Sequence, residues 1–340
     1  MSQSKVEKTR ARLAKRIQEG AYYEAHQQLR VLAQRYLKAE NYEAAIDILF
    51  SGAQALLQAG QGGSGGDLCA LMVEAYVQGR VACDAESKAR IFTLMSLIPP
   101  EEPSLRKFVK EAGDWSATFS PYPAGDPELH HFVGTLYSLT DDFIRSEPHL
   151  LLGTKSSPDT LAALLYRWYT NSLNPPPTPL SPSTPPQPTN PAIYLSRALL
   201  PYLLLRNIRD ATRVHALFTT SLSTSQLNYA SQEVQSATCD AKVFPDLPLV
   251  NFLGLLLLAC QRGGADLYRS LKAHYAQQLK EVPAWEEPLE QIAEMYFGIR
   301  VQRQPNLFDM MGGLFGGGGG GAGGAPQLGA PPQPPSAELD

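Results

Sequence analysis

The chain has 340 residues with a net charge of −4 and 44% apolar content, enough for one extended or two compact domains with a buried core. That charge balance argues against a general nucleic-acid binder. Four cysteines, Cys69, Cys83, Cys239 and Cys260, have no metal-like or redox spacing and read as small buried or half-buried thiols in a reducing cytosol.

The N-terminus carries Lys5, Lys8, Arg10, Arg12, Lys15 and Arg16, with Glu7 among them. Val6, Leu13 and Ile17 fall roughly on one helical face, so the stretch reads as a solvated first helix, with a transit peptide as the rival. No signal peptide is visible. Next, GAYYEAHQQLRVLAQRYLKAE has apolar positions at Tyr22, Ala25, Leu29, Leu32, Ala33 and Tyr36. NYEAAIDILFSGAQALLQ repeats a helical period from Tyr42 to Leu57, and Asn41 through Ile46 resembles the start of a tetratricopeptide helix. The full consensus does not recur. The expectation is an all-α solenoid of degenerate, TPR-like helical hairpins.

The glycine-rich stretch QGGSGGDLCALMVEAY at 61–76 has the look of a phosphate-binding loop before a helix. Asp67 and Leu68 stand where a Walker loop needs Lys and Ser or Thr, and a helical rather than a strand pattern precedes it. It therefore reads as a linker between helices. His26, Leu29 and Arg30 sit at i, i+3 and i+4 and form one patch, unless Leu29 is core and its neighbours are simply solvated. Asp67 and Glu74 lie two helical turns apart, on a face opposite Leu68, Leu71, Met72 and Ala75; the plain alternative is an ordinary acidic outer face.

Asp126-Pro127, Ser157-Pro158 and Asn190-Pro191 each place a capping residue before a proline at a helix start. His130 and His131 lack metal-ligand spacing and read as surface or half-buried side chains. Nine prolines in the seventeen residues 175–191 define an extended, solvated loop. SQEVQSATCDAKVFPDLP, 231–248, departs from helix: Glu233–Gln235 and Lys242–Phe244 read as two short strands, either a decoration or a partner-binding clamp. Val243, Phe244, Leu247 and Leu249, with Phe252 beyond them, have the clustering to present an apolar strip to a partner. PLVNFLGLLLLAC, 248–260, is too short to span a bilayer and reads as a buried helix. Trp115, Trp168 and Trp285 read as core. The Gly/Pro-rich tail from about residue 312 has too few apolar groups to order. No catalytic or cofactor motif is found, so an enzyme is a minor reading beside a scaffold.

Taken in order, GAYYEAHQQLRVLAQRYLKAENYEAAIDILFSGAQALLQAGQGGSGGDL, FPDLPLVNFLGLLLLACQRGGADLYRSLKAHYAQQL, WEEPLEQIAEMYFGI and the tail motif MMGGLF resemble a fungal-like member of the Golgi-to-ER traffic protein four family, over residues 5 to about 315. The resemblance implies a cytosolic, non-catalytic α-solenoid adaptor of tail-anchored protein targeting, without a cofactor. It implies two partners: a ubiquitin-like-domain protein of the same pathway, and a homodimeric targeting ATPase in its nucleotide-bound state. On this reading His26, Leu29 and Arg30 dock the ATPase and Asp67 and Glu74 restrain its hydrolysis. Val243, Phe244, Leu247, Leu249 and Phe252 would meet the ubiquitin-like-domain partner. The expected organisation is an ATPase-docking half at 1–150, a partner-binding half at 151–305 with the Pro-rich loop at 174–191, and a disordered tail at 306–340. A helical-repeat subunit of another cytosolic assembly, such as a proteasome-lid or trafficking complex, is the alternative.

Overall fold

The computed structural model describes residues 11–299 apart from residues 14, 174–189, 225, 226, 228, 237 and 238. The Pro-rich loop and the Gly-rich tail lie outside the described residues. Helical residues 11–13 and 15–18 come first, with Leu13 and Ile17 buried. Then follow α1 (Tyr22–Lys38), α2 (Tyr42–Gln58), α3 (Gly62–Gln78), α4 (Ala85–Leu97), α5 (Pro103–Phe119), α6 (Pro127–Ser138), α7 (Phe143–Leu151), α8 (Ser157–Leu173), α9 (Pro191–Leu204) and α10 (Ile208–Thr224). A hairpin of β1 (Gln232–Ser236) and β2 (Cys239–Val243) precedes α11 (Pro248–Arg262), α12 (Ala265–His274), α13 (Ala276–Leu279), a 3-10 turn at Pro283–Trp285, and α14 (Glu286–Phe297). The described residues are all-α apart from that hairpin.

One local device makes the repeat. Among the described residues, five helices end in the same Schellman-type turn, in which the residue after a left-handed one donates its N–H to a carbonyl five positions earlier. The bonds are Asn41 to Tyr36, Gln61 to Leu56, Val81 to Tyr76, Asp142 to Tyr137 and Asn207 to Tyr202, at 2.8–3.2 Å. The residue between is left-handed in each case: Glu40, Gly60, Arg80, Asp141 and Arg206, with φ between 50° and 74°. The acceptor is a tyrosine in four of the five, and all five acceptors are buried. The turns leave short connections of three residues between α1, α2 and α3 and of four between α6 and α7.

Capping follows the sequence at two of the three proline starts. Asp126 accepts from the N–H groups of Glu128 and Leu129, and Asn190 from that of Ala192. Ser157 differs: it is the first residue of α8, fully buried, and its hydroxyl is engaged with His131 Nδ1 at 2.9 Å. The side chain is drawn to a neighbouring helix, so it does not cap its own.

The core falls into two clusters. The first runs from Leu13 to Tyr137 and the second from Leu150 to Ala293. Trp115 anchors the first, its indole N–H on Val81 carbonyl at 3.0 Å; Trp285 sits in the second. Trp168 is only partly buried, capped by the Arg197 guanidinium at 4.6 Å from its ring centre. In the second cluster α9 is central, packing on α7, α8, α10, α11 and α14. Tyr296 of α14 fixes that return by donating to the Leu203 carbonyl at 2.8 Å.

Candidate functional site

The glycine-rich stretch is not a linker. Gly62 opens α3, and the connecting turn is confined to Ala59, Gly60 and Gln61. The glycines are there for close approach: a Cβ on Gly66 would lie 2.3 Å from Ser104 Cβ, and one on Gly65 2.6 Å from the Leu57 side chain. This packing sets α3 against α2 and α5, and α3 in turn lies against α1.

Asp67, in the second turn of α3, consequently faces α1. Its Oδ2 accepts from His26 Nε2 at 2.9 Å and forms an ion pair with Arg30 Nη1 at 3.2 Å. The first expected patch and half of the second are therefore one cluster, joined across 41 positions of sequence. Leu29 does not belong to its surface. It is 2% exposed and lies against Gly52, where even a Cβ would come within 2.7 Å. The i, i+3, i+4 spacing placed Leu29 beside His26 and Arg30 correctly, but α2 covers it, so it supports the pair from beneath. Glu74 is exposed and accepts from Gln78 at 2.9 Å; it lies on the outer face of α3, apart from the Asp67 cluster.

At the other core, the strands pair antiparallel with Glu233 opposite Lys242 and Val234 opposite Ala241. β1 runs one residue past the expected Glu233–Gln235 at each end, while β2 begins at Cys239 and stops at Val243, nearer the turn than the expected Lys242–Phe244. The expected apolar strip is not exposed. Phe244 and Phe252 are fully buried, Leu249 is 1% and Leu247 9% exposed, and Val243 is half-buried. The reason is Asn251. Its side chain accepts from Phe244 N–H at 2.9 Å and donates to Phe244 carbonyl at 2.7 Å. This two-point clamp turns the end of β2 onto α11 and drives the Phe244 ring into the core. Lys242 pins the other side by donating to Ser223 of α10 at 3.0 Å.

What the hairpin leaves open is a groove of about 590 Å³ between α10, the strands and α11. Its walls include Val234 and Leu255, which are 48% and 40% exposed, and Val243. His215 lies on its floor, directly beneath Gly254; a Cβ there would stand 2.8 Å from His215 Nε2. Burial holds His215 neutral, its pKa lowered to about 4. Glu233, Lys242, Gln261 and Arg262 line its polar parts. The sequence signal for Leu255 was present: the run 248–260 has Asn251 as its one polar side chain, so its apolar residues spread around more of the helix than one core contact uses.

A third polar cluster joins α6 to α7. His130 Nδ1 and His149 Nδ1 are 2.9 Å apart, and His130 Nε2 is 2.8 Å from the Ala124 carbonyl. Cys69 and Cys260 are buried and Cys83 half-buried, with burial raising their thiol pKa values to about 12, 12 and 11. These thiols are poor nucleophiles. The Cys239 side chain lies outside the described residues. Among the described residues no helix is long and apolar enough to cross a membrane.

Fold and surfaces together define a helical-repeat protein with a charged cluster on one core and an apolar-walled groove on the other. The family model for Golgi to ER traffic protein 4 matches residues 39–315, and the chain belongs to that family. It is 48% identical to Golgi to ER traffic protein 4 of Aspergillus fumigatus over 329 residues, covering 92% of this chain and 91% of that one. It is 33% identical to the Schizosaccharomyces pombe protein of the same name over 300 residues, 87% of this chain and 91% of that one. The crystal structure of C. therm. Get4 superposes with a TM-score of 0.80 at 43% identity, covering 96% of this chain and all of that one.

Proposed function

We propose that this chain is a non-catalytic cytosolic adaptor linking a ubiquitin-like-domain partner to a nucleotide-bound homodimeric targeting ATPase. In this role it promotes handover of tail-anchored membrane proteins for insertion into the ER and restrains ATP hydrolysis until handover. The half at 1–150 docks the ATPase and the half at 151–305 holds the other partner.

The observation that supports this reading is that two chemically different surfaces stand on separate cores. Arg30, held by Asp67 beside the largely buried His26, offers a cationic contact to an acidic protein surface. The groove beside the hairpin offers exposed Val234 and Leu255 to an apolar segment. Exposed apolar walls framed by polar residues are the usual anatomy of a protein interface. Phe244, Leu247, Leu249 and Phe252 shape that groove from behind and do not touch the partner. Asp67 and Glu74 act on the ATPase through position, since exposed charge pairs add only about 0.2–1 kcal/mol each.

The test is affinity purification of the full chain from cell extract, with and without ATP, read by mass spectrometry. Retention of a ubiquitin-like-domain protein in both conditions, and of an ATPase only with ATP, is the expected result. Arg30→Glu loses the ATPase alone, and Val234→Asp with Leu255→Asp loses the other partner alone. Recovery of a different, larger assembly would replace this reading with a scaffold subunit of that assembly.

A further inference from the structure

Three groups share the charged cluster unequally. The His26 side chain is 10% exposed, Arg30 47% and Asp67 39%, and a single oxygen, Asp67 Oδ2, serves both the His26 ring and the Arg30 guanidinium. His26 is held in place because α1 is anchored one turn further on by buried Leu29. Arg30 is free to swing on its long stem at little cost, because an exposed ion pair is weak.

We infer that Asp67 is a tethered competitor for Arg30: it occupies the guanidinium in the free protein as a stand-in for the carboxylates of an acidic docking surface. This rests on the docking role proposed for His26 and Arg30. On docking, Arg30 exchanges Asp67 for a partner carboxylate, while His26 retains Asp67 at the rim. A carboxylate joined to the same fold is present at high effective concentration, so every docking event must displace it. Asp67 thereby lowers the affinity of the surface it helps to build. It is also left facing the acidic partner as a like charge once Arg30 has turned away. Docking and restraint are coupled through this one residue.

The experiment measures the Kd for the ATP-bound ATPase at low and high salt, using wild type, D67N, R30A and the D67N/R30A double variant. The amide of D67N still accepts from His26 while the competing charge is gone. D67N is expected to bind about two- to fivefold tighter than wild type at low salt, with the gain fading at high salt. R30A is expected to bind more weakly than wild type, and the double variant to match R30A, because without Arg30 there is nothing to compete for. Asp67→Ser, which also removes the charge, repeats the test should D67N melt early. R30A weaker with D67N equal to or weaker than wild type overturns the competitor while leaving the docking role intact. R30A equal to wild type removes the docking role, and the competitor with it.

Discussion

His130 and His149 meet ring to ring, Nδ1 to Nδ1 at 2.9 Å, where α6 of the first core adjoins α7 of the second. The Ala124 carbonyl settles the tautomers, because it requires the proton of His130 on Nε2. His130 Nδ1 is then the acceptor and His149 Nδ1 the donor. Burial first, and then the nearby His130, lower the His149 pKa from 6.5 to about 4.

The sign of the pH effect follows. A histidine whose folded pKa is depressed binds more protons unfolded than folded between the two values, so stability rises with pH across that window. The contribution is complete above pH 6.5 and is lost as pH falls toward 4. Lowering pH from about 7 to about 5 should remove roughly 2 kcal/mol through His149 alone, and half-buried His215 acts in the same direction. Thermal melts at graded pH check this. His149→Leu should flatten the slope between those pH values even where it lowers the melting temperature overall.

Gly66→Ala places a methyl 2.3 Å from Ser104 Cβ, on a helix-to-helix contact with no flexible end to yield. Overpacking of this kind costs about 1–3 kcal/mol. A denaturant titration should show a lower midpoint, and S104G in the same chain should recover part of the loss.

Arg80 is left-handed at φ 50°, a conformation that glycine adopts freely and an L side chain does not. Arg80→Gly should stabilise the chain by about 1 kcal/mol, visible as a higher melting temperature. The same change at Glu40 or Arg206 should act alike, since each occupies the same place in its turn.

Phe244→Asp and Val234→Asp separate core from surface at the hairpin. Phe244 is fully buried, so its replacement buries an unpaired carboxylate and should cost several kcal/mol. Val234 is 48% exposed, so its replacement should leave the helical circular dichroism signal and the melt within about 0.5 kcal/mol of wild type. Equal damage from the two would show that the groove wall is part of the core.

Much of the fold was legible because its causes are local. The helical period from Tyr22 to Leu57, the Asp126 and Asn190 caps before proline, and the strands on either side of 237–238 depend on residues a few positions apart. The repeated turn was less legible, since glycine marks only one of its five left-handed positions. A buried tyrosine four residues before the left-handed residue is the better signal, at Tyr36, Tyr76, Tyr137 and Tyr202.

The sequence by itself determined which residues share a helix face; only the tertiary structure decided which faces stay open. In a stack of hairpins most helices are covered on more than one side, so periodicity groups His26, Leu29 and Arg30 but cannot say that α2 covers the middle one. Nor does it show that Asn251 folds Phe244 inward, leaving Val234 and Leu255 as the groove walls. The pairing of Asp67 with His26 and Arg30 spans 41 positions and exists because glycines let α3 pack closely on its neighbours. That distance is set by packing, which a local pattern does not record.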